Sequence, residues 1–120
     1  MKHKVWDGIH ALTALIVGAV VYQVFRGASG SSPAALIRNY LPDVCWAYAL
    51  SFALGIVFDE SRRAIWGCAA AAVVCGGLWE AVQAADWVTG TADGWDVVAY
   101  LAGALLSVTI KMIRKRTDQP

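Results

Sequence analysis

Residues 64–83 read AIWGCAAAAVVCGGLWEAVQ, and the first sixteen of them carry neither a charge nor an amide. A helix on the surface of a soluble bundle needs a broad polar face, which AIWGCAAAAVVCGGLW lacks. Twenty residues at about 1.5 Å each instead match the roughly 30 Å hydrocarbon core of a bilayer. The stretch therefore predicts a membrane-spanning helix. The same criterion, applied outward along the chain, finds three more runs, about residues 8–25, 41–58 and 97–113, beside 64–83 itself. The expected fold class is all-α: a polytopic membrane protein, with one membrane domain over residues 1–120 built as a four-helix transmembrane bundle.

Composition points the same way. The chain is 58% hydrophobic and 16% charged, with six Trp and four Tyr in 120 residues. Aromatic residues at that density suit a protein that sets rings at two water–membrane interfaces. A formal net charge of +1 excludes the strongly basic footprint of a nucleic-acid binder. Cys45, Cys68 and Cys75 lie in apolar runs without CxxC spacing or a neighbouring His. They are expected as small packing residues, and neither a metal site nor a cofactor is expected.

The distribution of Lys and Arg sets a direction. With four spans, the N-terminus, the DESRR turn and the tail share one side, which holds Lys2, Lys4, Arg62, Arg63, Lys111, Arg114, Lys115 and Arg116. The other side holds only Arg26 and Arg38. By the positive-inside rule both termini are expected in the cytoplasm, with residues 114–120 as a basic cytoplasmic tail. The cytoplasmic (inner) membrane of a bacterium is the expected location. The first run also has features of a signal peptide, with Lys2 and Lys4 ahead of it and GASGSS behind. Its length and the flanking Arg26 favour a retained helix.

On the outward side, SSPAALIRNYLPD offers Ser32 as an N-cap and Pro33 at the first helical position. A short interfacial helix is expected over about 33–40, ending at Pro42, which opens the second span with Asp43 in its first turn. Counting at 1.5 Å per residue, Glu80 lies about 25 Å along its helix from Arg63. Asp43 lies about 24 Å from Asp59, and Asp96 about 22 Å from Lys111. Three helices should thus bring carboxylates to one level near the outer boundary.

Helical phase adds a direction to that depth. Cys68, Ala72, Gly76 and Glu80 recur every four residues and form a small-residue face suited to close helix packing. Ala99, Gly103 and Ser107 form a second such face, one turn after Asp96 and beside Tyr100. The expectation is that the third and fourth helices pack along these two faces, turning Glu80 and Gln83 inward. An acid at the negative end of its own helix, facing other helices, is a functional-site candidate. The expected pocket comprises Arg38, Asp43, Glu80, Gln83, Asp93, Asp96 and Tyr100, with Arg38 balancing Glu80. Asp7 and His10, one turn apart, read as a hydrogen-bonded pair at the opposite interface. Asp59 and Glu60 beside Arg62 and Arg63 read as a solvated turn, and the KMIRKR cations as a topology signal.

The succession EAVQ, short loop, TGTADGWDVVAYLAGALL, together with LPDVCWAYAL, resembles the VanZ-like family of small bacterial multi-span membrane proteins. The resemblance spans roughly residues 39–107 and carries over Glu80, Gln83, Asp93, Asp96 and Gly103. The chain departs from the family pattern at Tyr100, where many members have Asn, and has no counterpart of the loop arginine. The resemblance implies a cell-envelope setting, since the family is named after a protein of a glycopeptide-resistance cluster, and hence a link to antibiotic resistance.

Three functions follow as expectations. The first is a non-enzymatic envelope protein whose outer acidic pocket takes a lipid head group, a glycopeptide-type antibiotic or a partner membrane protein. The second is a small membrane enzyme on a lipid-linked substrate, with Glu80 as general acid or base and Arg38 on phosphate. The third is a protomer of a homo-oligomeric transporter or channel. The sequence offers no nucleophile–base pair, metal-ligand cluster or phosphate loop, so the non-enzymatic reading leads.

Overall fold

Two serines decide where helices begin. Ser32 and Ser61 take extended backbone conformations, and their hydroxyls accept the otherwise orphaned N–H of Ala35 and Ala64, at 3.2 and 3.1 Å. Pro33, with no N–H to leave unsatisfied, follows the first of these caps. The computed structural model describes residues 2–30, 32–86 and 94–118. It contains four helices: α1 Lys2–Val24, α2 Pro33–Val57, α3 Arg62–Ala84 and α4 Gly94–Asp118. Among the described residues there is no strand. All four helices are long and apolar enough to cross a membrane, and the chain is a multi-pass helical membrane protein.

The large apolar side chains face outward. Leu12, Leu15, Ile16, Val20, Val74, Leu78, Leu101 and Leu105 are among the exposed ones, an arrangement that is costly in water and appropriate against lipid tails. The interior is made of small residues, including Ala11, Ala14, Ala47, Ala49, Ala69, Ala72 and Ala104, with Phe52 as its largest fully buried side chain. Close backbone approach, rather than apolar burial, holds such helices together.

α2 is the hub, touching α1, α3 and α4, while α3 and α4 also touch each other and the backbone of α1 packs along that of α2. α1 presents Asp7, Ala11, Ala14 and Gly18, spaced by three or four residues as one helix face requires. α4 divides its surface between two neighbours. Gly103 lies against the Val44 carbonyl, with Tyr48 N 3.1 Å from where a Cβ would stand. One turn on, Ser107 Oγ is 2.7 Å from Ser51 Oγ. The face Ala99–Gly103–Ser107 therefore packs on α2, not on α3 as the sequence pattern suggests. A stripe of small residues specifies a close neighbour without specifying which one. α3 instead meets Tyr100, Ala104 and Val108: Gly76 accommodates the Tyr100 ring, and Ile65 and Ala69 cluster with Ala104 and Val108. The small face expected on α3 is buried throughout, at Cys68, Ala72, Gly76 and Glu80.

A second difference concerns Pro42. Residues 33–40 are helical, but they run through Pro42 into one 25-residue helix instead of forming a separate surface helix. Proline at this position removes one N–H···O bond and tolerance for it is common where neighbouring helices support the chain. At about 1.5 Å per residue α2 spans about 37 Å, longer than the hydrocarbon core.

Between α2 and α3, the Asp59 carboxylate accepts the Ser61 N–H at 3.0 Å. The hydrogen bonds from Ser61 hold this exposed carboxyl below its usual range. A depressed acid supports the folded turn at neutral pH and gives up that support as pH falls through its lowered pKa.

The α4–α2 approach predicts opposite outcomes for two glycines. Gly103→Ala should lower stability by about 1–3 kcal/mol through overpacking against Val44. Gly77→Ala, where nothing lies within 4 Å of an added Cβ, should raise it by about 0.5–1 kcal/mol through helix propensity. Thermal unfolding of the purified variants in one detergent checks both signs.

Candidate functional site

Polar side chains gather at two places, one at each end of the bundle. The first lies where α2 begins, α3 ends and α4 begins. The Tyr100 hydroxyl donates to Glu80 Oε1 at 3.0 Å within the buried interior. The Asp96 carboxyl lies beside the carboxyls of both Asp43 and Glu80. Acids from three helices thus meet at one level, as the depth count anticipated. Two carboxyls hydrogen-bond to each other only when one of them carries the proton, since an ionised carboxylate offers acceptors alone. Three adjacent carboxyls are therefore a group that shares protons or meets a cationic partner.

Tyr100 is fixed from two sides, by Gly76 behind its ring and by Trp46 at 5.5 Å between centroids. Beside it, a groove of about 640 Å³ is lined by Pro42, Asp43, Trp46, Cys75, Leu78, Trp79, Val82 and Tyr100. Asp43 and Tyr100 belong both to this groove and to the acid cluster, which joins a polar end to an apolar channel between α2 and α3.

Other expected pocket members stand elsewhere. Arg38 does not pair with Glu80: its guanidinium donates to Asn39 Oδ1 at 3.0 and 3.1 Å, to the Arg26 carbonyl at 3.3 Å and to the Ala28 carbonyl. It ties the α1–α2 connection to the start of α2. Gln83 is half-buried, and among the described residues no hydrogen bond engages its side chain. Asp93 lies outside the described residues. Among the described residues, no group of three His, Cys, Asp or Glu side chains is arranged to hold a metal ion.

The second polar gathering lies at the end of the bundle that holds the termini, and sequence reading missed it. Asp7 of α1, only 1% exposed, receives Arg114 Nη1 at 2.7 Å. The same guanidinium gives Nη2 to Glu60 Oε1 at 2.5 Å, and His3 Nδ1 lies 3.8 Å from Glu60 Oε2. Lys115 Nζ donates to the Glu60 carbonyl at 3.1 Å. Lys111, 2% exposed, donates to the Ser51 carbonyl at 2.9 Å and lies 4.9 Å from the Phe52 ring centre. Gly55 leaves the notch that Asp7 and Lys111 share: a Cβ there would stand 2.6 Å from Asp7 Oδ2 and 3.1 Å from Lys111 Nζ.

His10 is not bonded to Asp7, as its spacing suggested. Its Nδ1 meets the Tyr48 hydroxyl at 2.8 Å, and its ring stacks on Phe52 at 4.5 Å. Glu60 is likewise a half-buried ion-pair partner instead of a residue of a solvated turn, and Lys111 and Arg114 are interior groups as well as tail cations. Helix-start and helix-end charges were legible as such. Their partners, 54 and 107 positions apart in sequence, carried no local signal.

Compared with family models, with characterised proteins and with solved structures, the chain matches none.

The ion pair at the termini end gives a direct test. Asp7→Ala should cost about 3–5 kcal/mol, because it leaves the half-buried Arg114 guanidinium without one of its two counter-charges. A double-mutant cycle of Asp7→Ala with Arg114→Gln should show a coupling of at least about 1 kcal/mol. Additive losses in denaturant titration would mean that the two groups do not support each other.

Proposed function

We propose that the chain is a small VanZ-like protein of the bacterial cytoplasmic membrane, with both termini in the cytoplasm, that binds the polar head of an amphipathic ligand. The head sits at Asp43, Asp96, Glu80 and Tyr100, and the apolar part lies in the groove between α2 and α3. The observation that carries this reading is the junction itself: carboxyls from three helices meet beside Tyr100 at one end of an otherwise apolar channel. Carboxyls accept hydrogen bonds and favour positive charge, so the head group that fits is an ammonium-bearing one. Lipid head groups and glycopeptide-type antibiotics both include members with amines.

The distribution of cations supports the orientation, with eight Lys and Arg on the termini side against Arg26 and Arg38 on the other. In that orientation the acid cluster faces the periplasmic side, where envelope-directed antibiotics arrive.

Dodecylamine, an ammonium on a single alkyl chain, tests the site directly in purified protein. Its binding should change the fluorescence of Trp46 and Trp79, and dodecyl sulfate should not compete. Glu80→Gln and Asp43→Asn should each weaken binding at least about 10-fold, equivalent to about 1.4 kcal/mol. In a strain deleted for the protein, wild type but not Glu80→Gln should restore antibiotic susceptibility to its normal level, at equal amounts in the membrane. Unchanged dodecylamine affinity in both variants would overturn the proposal.

A further inference from the structure

A second lipid-facing groove runs along the opposite seam, between α3 and α4, and it differs from the first in the sign of its charge. At the termini end, a cavity of about 480 Å³ is lined by Arg62 of α3 and by Lys115 and Arg116 of α4, above Trp66, Leu105, Met112 and Ile113. Trp66 and Leu105 also line the next cavity, of about 350 Å³, which continues past Ala70, Val73, Val74 and Leu101 toward the middle of the bundle. The two form one track, cationic at its mouth and apolar along its length.

The two arginines at the mouth are available to a ligand, and Lys115 Nζ donates to the Glu60 carbonyl beside them. Of the acids in the turn before α3, Glu60 is occupied by Arg114 and His3, and Asp59 accepts the Ser61 N–H. Among the described residues no carboxylate pairs with Arg62 or Arg116. Arg62 also opens α3, where the positive end of the helix dipole adds to the attraction for an anion. Trp66 stands one turn inward, at the level where an aromatic ring meets the junction of head group and acyl chain.

We propose that this track binds an anionic glycerophospholipid, with its phosphate among Arg62, Lys115 and Arg116 and one acyl chain along Trp66, Leu105 and Val73. Arg offers the planar, multi-donor geometry that phosphate accepts, and it supplies two of the three cations. Charge complementarity at the mouth selects an anionic lipid over a zwitterionic one, while the continuous apolar track selects a lipid over a soluble phosphate. A lipid there would cover the α3–α4 seam and hold the two helices on which Glu80 and Tyr100 sit.

Brominated lipids quench tryptophans they touch. Full-length protein should be placed in micelles with trace brominated phosphatidylglycerol or brominated phosphatidylcholine, and the quenching that Trp66→Phe removes should be measured. Phosphatidylglycerol should quench Trp66 at least about 3-fold more effectively than phosphatidylcholine, and 10 mM-range inorganic phosphate, about a hundredfold above the lipid, should not displace it. Arg62→Gln with Arg116→Gln should bring the two lipids to equality. Ala70→Phe, an exposed substitution that fills the track while leaving every charge in place, should abolish Trp66 quenching by the bound lipid.

Equal quenching by the two lipids in wild type would overturn the proposal, as would full displacement by inorganic phosphate. A second copy of the chain covering the seam, seen as a dimer with Trp66 shielded from both lipids, would also overturn it.

Discussion

The structure depends on how closely α4 can approach α2. At Gly103 the two backbones come together because no side chain stands between them, and one turn later Ser107 and Ser51 meet through their hydroxyls. In a membrane the apolar surface of a helix gains little by leaving lipid, so contact of this kind, together with interhelical hydrogen bonds, is the main attraction available. With α4 seated on α2, its rotation is fixed, and the residues at both ends are aimed. Tyr100 turns toward α3 and meets Glu80, while Lys111 and Arg114 turn toward Ser51 and Asp7.

The two ends then handle charge in different ways. At the termini end every buried charge has a partner of opposite sign or a carbonyl, and the groups come from α1, α4 and the α2–α3 turn. Removing ions from water is expensive, and such a network repays it only with full hydrogen bonding. It ties α1, whose backbone packs along that of α2, to the last helix. At the opposite end acids converge, and Arg38 is committed to Asn39 and to the Arg26 and Ala28 carbonyls. Matched charges suit holding a fold together. Acids that converge beside an apolar groove suit receiving a ligand, which is why the acid cluster is the better candidate site.

Much of this was legible in the sequence for physical reasons. Apolar run length gave the number of helices and, for α3, both ends within two residues, although α1 begins at Lys2, α2 begins at Pro33 and α4 extends to Asp118. Period-four spacing placed Cys68, Ala72, Gly76 and Glu80 on one buried face, and rise per residue brought Asp43, Glu80 and Asp96 to one level. What could not be read was pairing. The small stripe on α4 fits any close neighbour, and only the assembled bundle shows that α2 takes it. Pro42 looked like a helix boundary, because local preference disfavours proline within a helix and gives no account of the support that neighbouring helices supply. Lys111 and Arg114 resembled a flanking topology signal, since their partners Ser51, Asp7 and Glu60 are remote in the chain.

The seating of α4 on α2 is the claim from which both polar ends follow, and Ser107 reports it most directly. In a chain with Cys45 and Cys75 replaced by Ala, Ser51→Cys and Ser107→Cys can be introduced while Cys68 of α3 is kept as an internal competitor. Mild oxidation in the membrane followed by peptide mapping identifies the pair formed. The account predicts an intramolecular disulfide between positions 51 and 107. A disulfide between 107 and Cys68 would mean that the small face of α4 packs on α3, and would contradict it.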